Sequence, residues 1–150
     1  MPVVNIHYDQ ILSDHEAITK KLLTANGYDF DVDTVHREDI SSDDIHGNNA
    51  IIIVPLNDTL NESFATSEEL RDLEIATVGY LEKEGISTEI EKLKSNLVSL
   101  LYNEYKALPT GDLIDHEITS VEPSKLLREF QNASFIITSK FLYLLKKGGV

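Results

Sequence analysis

Cysteine and tryptophan are both absent from this 150-residue chain, and methionine occurs once. Without cysteine there is no disulfide framework, no Cys-ligated metal and no thiol nucleophile, a usage that fits a reducing compartment. Positive charge is scarce as well. Thirteen Lys and Arg face 26 Asp and Glu, leaving a net charge of −13. A duplex-gripping surface needs clustered Lys and Arg, so this balance argues against direct nucleic-acid binding. No run approaches the roughly 18 consecutive apolar residues of a spanning helix, so no membrane span is expected. The opening MPVVNIHYDQ lacks the basic-then-apolar pattern of a signal peptide. The seven glycines form neither G-x-G-x-x-G nor G-x4-G-K-[ST], and there is no G-x-S-x-G elbow. His7, His15, His36, His46 and His116 are scattered, with no H-x-H, H-x3-H or H-E-x-x-H spacing. Asp43, Asp44 and their neighbours lack the spacing of an EF-hand loop. No catalytic residue, metal ligand or cofactor is therefore expected.

What is present is an ordinary globular composition, 41% apolar and 26% charged, enough for one domain over residues 1–150 with a real core. The acid is unevenly placed. Residues 29–44 hold seven Asp or Glu against one Arg, while the last eleven residues hold three Lys and no acid.

Periodicity divides the chain. Asp9–Ala25 reads as a helix with Ile11, Ile18 and Leu22 on one face and Leu12 and Leu23 beside it. Its N-cap is Asp9, or Ser13 in a capping box with Glu16, and Gly27 suits a left-handed C-terminal position. Tyr28, Phe30, Val32 and Thr34 alternate with Asp29, Asp31 and Asp33, which predicts a half-buried strand with an acidic face. Ala50–Leu56 is an apolar run expected to be a central strand, with Pro55 at its end or at an edge. His36–Asn49 and Asn57–Glu69 read as long polar loops. Arg71–Gly85 admits a helix through Leu70, Leu73, Thr77 and Tyr80. Ile75, Thr77, Val78 and Tyr80 favour a strand, as does Gly79 by weakening a helix interior, and a strand is expected.

Thr88 and Glu91 form a capping box ahead of a clear stripe, Ile90, Leu93, Leu97, Leu100 and Leu101, which predicts a long helix over about 88–105. Asp112–Val121 is a weakly alternating strand. Pro123 is expected to start a helical turn carrying Leu126, Leu127 and Phe130. Ser134–Leu145 is a strand with Phe135, Ile137, Phe141 and Tyr143 on one face and Ile136, Leu142 and Leu144 on the other. The sum is an α+β domain, a mostly antiparallel mixed sheet packed against the long helix and the N-terminal helix.

Two stretches resemble enzymatic motifs. Asp31-Val-Asp33-Thr34 resembles the nucleophile motif D-x-D-x-[TV] of haloacid-dehalogenase-type phosphatases, and FIITS at Phe135–Ser139 resembles that family's second motif. The strand before the motif is not wholly apolar, and no acidic motif for Mg²⁺ follows Ser139, so an exposed acidic strand face is the reading taken. Ile45–Leu56 followed by Asp72-Leu73-Glu74-Ile75-Ala76 resembles the small Rossmann-like nucleoside deoxyribosyltransferases. That likeness implies a catalytic Glu74 if Arg71–Glu84 is helical.

The broader resemblance runs from Ala50 to Tyr143. The stretches IIIVPLND, RDLEIATVGYL, EIEKLKSNLVSLLYNEY, HEITSVEPS and ASFIITSKFLYLL follow one another in an order that resembles the tail terminator (tail completion) proteins of long-tailed bacteriophages. The likeness lies in pattern and order rather than in a signature residue. It implies a non-enzymatic virion protein, assembled in the host cytoplasm and located in the tail or neck. Such a protein forms a ring, commonly hexameric, that caps the tail tube protein and joins it to the head connector protein. DNA passes nearby without specific binding. Interface residues are then expected in the acidic and polar segments, at Asp39, Asp43, Asp44, Asn57, Asp58, Asn61 and Glu62.

Overall fold

The computed structural model describes residues 6–37, 49–65, 68–82, 86–107, 113–127 and 132–146. Helix α1 (Ile6–Thr19) leads through a 3-10 turn to strands β1 (Thr34–His36), β2 (Asn49–Ala65) and β3 (Glu68–Glu82). Helix α2 (Ile86–Tyr105) crosses to β4 (Leu113–Val121), β5 (Lys125–Leu127) and β6 (Asn132–Lys146). The strands form one sheet in the order β1-β2-β3-β6-β4, with β5 also paired to β6. β1 runs parallel to β2, and the other pairings are antiparallel. The domain is thus α+β with a mixed, mostly antiparallel sheet.

Both helices pack on one face of that sheet. α1 contributes Ile11, Leu12 and Ile18, and α2 contributes Ile90, Leu93, Leu97, Leu100, Leu101 and Tyr105. They meet Ile51 and Ile53 of β2, Leu73, Ile75 and Leu81 of β3, and Ala133, Phe135, Ile137, Phe141 and Tyr143 of β6. The period-two burial of β6 and the helical stripe of α2 therefore close one apolar core. Gly79 lies opposite Phe135 in the ladder, and a Cβ there would run into the Phe135 ring. The missing side chain is what lets that ring lie down across the sheet.

Several elements differ from the sequence expectation. α1 begins at Ile6 and ends at Thr19, so Asp9 and Ser13 lie inside it rather than at its cap. The chain then tightens, with Lys21 N–H bonding Ile18 O and Leu22 N–H bonding Thr19 O. Gly27 does take the left-handed conformation, with φ 94°, but it closes the 3-10 turn Thr24–Asn26. Tyr28, Phe30 and Val32 do turn towards the core, yet only Thr34–His36 is strand. The backbone before it bonds elsewhere: Asp29 N–H to Asn96 Oδ1 at 2.6 Å and Val32 N–H to Leu22 O at 2.9 Å. Lys125–Leu127 is a strand on β6, not a helical turn. The expected loop Asn57–Glu69 is the largest correction. Its described residues continue β2 and begin β3 as a paired ribbon.

Length explains the ribbon. A 20-residue helix reaches about 30 Å, whereas 15- and 17-residue strands reach roughly 50 Å. The sheet therefore outruns the helix that covers it. Burial in β3 begins at Leu73, and its residues 68–72 are all only partly buried.

Candidate functional site

The overhanging ribbon is acidic. Residues 56–74 hold six Asp or Glu and one Arg. That Arg71 is its anchor. Its Nε donates to Asp58 Oδ1 at 3.0 Å, Nη1 to Glu69 Oε2 at 2.7 Å, and Nη2 to the Asp58 carbonyl at 3.2 Å. The Tyr143 hydroxyl donates to the other Asp58 oxygen at 2.7 Å. Burial works against the Arg71 charge, but the hydrogen bonds to Glu69 and Asp58 outweigh it and its pKa is raised. Burial, then the neighbouring Asp58, raises that of Tyr143. The three strands are thus pinned together at the margin of the core, where the Tyr143 hydroxyl leaves it.

On the outer side of β2 the pairing with β1 stops at Ile52. Past that point β2 carries three register shifts, at Pro55/Asn57, Leu60/Glu62 and Ser63/Ala65. Bulges and an edge proline blunt a free strand against open-ended pairing. Leu56 and Leu60 nonetheless stand in solvent, 48% and 54% exposed.

Of the interface residues expected from sequence, Asn57, Asn61 and Glu62 lie exposed on this ribbon beside Leu56 and Leu60. Asn61 donates to Asp72 at 2.9 Å. Asp58 is turned into the Arg71–Tyr143 network, with both carboxylate oxygens engaged. Asp39, Asp43 and Asp44 lie outside the described residues.

A second cluster was not foreseen. His15 of α1 is fully buried. Its Nδ1 meets the Tyr105 hydroxyl at 2.5 Å and its Nε2 meets Thr77 Oγ1 at 2.7 Å. One imidazole thereby ties α1, α2 and β3. On the other side of Tyr105 lies His116 of β4, stacked with ring centroids 4.0 Å apart. Phe141 packs edge-on against both His15 and Tyr105. Burial, reinforced by the neighbouring His116, lowers the pKa of His15 to about 3. Burial lowers that of His116 to about 4, against the pull of Asp115. Both rings are neutral at pH 7, and burial drives Tyr105 upward. Above the cluster, Tyr102, Tyr105, Lys106, Asp115 and His116 line an open cleft of about 470 Å³. The signal that could have found the cluster was weak. His15 and Tyr105 are 90 positions apart, and no local spacing links them.

The enzymatic patterns resolve differently. Asp31 Oδ1 accepts Thr24 N–H at 2.7 Å and the Thr24 hydroxyl at 3.0 Å, and Asp33 Oδ2 accepts Asn49 N–H at 3.1 Å. Both carboxylates hold the loop into β1 and β2. Glu74 lies on β3, paired with Lys140 in register, so the helix that the deoxyribosyltransferase likeness needed is a strand. No group of three or more His, Cys, Asp or Glu among the described residues is placed to hold a metal. No described helix is long and apolar enough to cross a membrane. The chain matches no protein-family model and no curated protein.

Proposed function

We propose that this chain is a non-enzymatic structural subunit, the tail terminator of a long-tailed phage. Its copies form a ring, commonly a hexamer, that caps the tail tube protein and docks to the head connector protein. It acts in the tail or neck of the virion, needs no cofactor, and lets DNA pass without binding it. The observation that carries this reading is the ribbon. Its polar, acidic surface offers two exposed leucines, Leu56 and Leu60, on a strand half that β1 leaves uncovered. Apolar anchors set among polar residues suit a subunit interface. The pinning of the ribbon by Arg71, Asp58 and Tyr143 supports a prong that is ordered before it docks, which lowers the cost of association. The order of elements from β2 to β6 supports the same assignment. The acidic balance suits a passage through which a duplex slides.

The test is assembly. The intact protein should form rings visible by negative stain, alone or on isolated tail tubes. Leu56→Asp combined with Leu60→Asp should keep the monomer folded by circular dichroism and abolish rings and docking. A protein that stays monomeric at every concentration and binds neither tube nor connector would remove the assignment.

A further inference from the structure

The cleft between the end of α2 and β4 is a second surface, remote in kind from the ribbon. Among the described residues, its lining brings together two phenol rings, one imidazole, one carboxylate and one ammonium. Tyr102 is 53% exposed, so its ring is open to a ligand. Asp115 and Lys106 are exposed at the same cleft. The Asp115 Oδ1 accepts the backbone N–H of His116 at 2.9 Å, which fixes that carboxylate beside the imidazole. His116 Nε2 is buried with no hydrogen-bond partner among the described residues. A volume of about 470 Å³ lies within the range of small-ligand sites. The whole chain carries −13, so its field draws cations.

We propose that this cleft is a guanidinium-binding site, which seats an arginine side chain of a basic protein partner against Tyr102 with Asp115 as its counter-ion. Each part follows from chemistry on the cleft wall. A guanidinium plane stacks on an aromatic face. Its fork of donors matches a carboxylate, and arginine is better suited than lysine to both contacts. Lys106 opposes the ligand. It lies just beyond the end of α2, where a cation is favoured by the helix dipole, so its presence has an independent cause. The site stands apart from the ring reading, because it is formed within one subunit.

The experiment uses Nα-acetyl-arginine amide as the probe, with NMR of the Tyr102 and His116 ring signals at pH 7. The expected result is saturable binding, tighter than that of Nα-acetyl-lysine amide. Tyr102, Lys106 and Asp115 are exposed, so their variants should fold, with circular dichroism as the check. Asp115→Asn and Tyr102→Ala should each weaken binding by about fivefold, the scale of one charge-assisted or cation–π contact. Lys106→Ala should strengthen it, which an anion site would not do. Four results would each overturn the proposal: no saturable shift, equal binding of Nα-acetyl-glutamate amide, weaker binding in Lys106→Ala, or binding of free arginine alone. The last would mark a zwitterion site rather than a docking site.

Discussion

His15 is held at the junction of three elements by both of its ring nitrogens, and it pays for that place in acid. Its folded pKa of about 3 and that of His116, about 4, lie below the unfolded value of about 6.5. Between those limits the unfolded chain binds more protons, so stability is full above about pH 6.5 and falls as pH drops. Charged groups around the pair include Asp14, which raises the Tyr105 pKa after burial has done so, and Asp115 and Lys106 at the cleft. From pH 6.5 to 5, above the ordinary carboxylate range, each histidine should cost about 1.5 kcal/mol. Urea unfolding across that window measures the sum. His15→Phe should remove about half of the pH dependence. An unchanged slope in that variant would mean that His15 is not the group being titrated. The helical spacing of His15 with Ile11, Ile18 and Leu22 is legible in the sequence and suits a packed or partly exposed side chain. The partners of His15 are not, because Tyr105 and Thr77 reach it only once the sheet and both helices have met.

At the scale of elements, the periodic ones were legible and the polar ribbon was not. The stripe of α2 and the alternation of β6 are single-face signals, and each kept its place to within two residues. Residues 57–69 lacked such a signal, because a ribbon that overhangs its core has no face to bury. Pairing there is held instead by polar contacts between strands, which leave only turn-like composition in the sequence. The ribbon also makes a local prediction. Removing the Asp58 carboxylate in Asp58→Ala leaves Tyr143 without its acceptor and Arg71 with Glu69 as its remaining carboxylate. The site is partly buried, so the cost should be about 2 kcal/mol. Tyr143→Phe should cost about 1 kcal/mol, and the double variant should cost less than the sum, since both changes break one contact. Denaturation gives the three values. Hydrogen exchange should place the lost protection in residues 57–62 and 68–72, with α2 unchanged. Additive costs, or a loss spread over the whole chain, would show that the network does not pin the ribbon.

For the whole molecule the dominant quantity is charge. The proposed ring of identical subunits would bring chains of net charge −13 side by side, and the exposed ribbon is acidic too. Self-assembly through Leu56 and Leu60, as proposed, would then work against like-charge repulsion. Raising salt shortens the Debye length from about 30 Å at 0.01 M to about 10 Å at 0.1 M, which relieves that repulsion while leaving apolar contacts in place. The ring population should therefore rise with sodium chloride over this range. Docking to a basic partner surface should respond in the opposite sense, because its attraction is screened. Sedimentation of the protein alone, and co-sedimentation with tail tubes or connectors, separates the two processes across one salt series. If self-association weakens as salt rises, the subunit contact is an ion pairing between acidic and basic segments. The three lysines of the last eleven residues would then be the first to replace, and the two leucines would lose their place as the anchors of the ring.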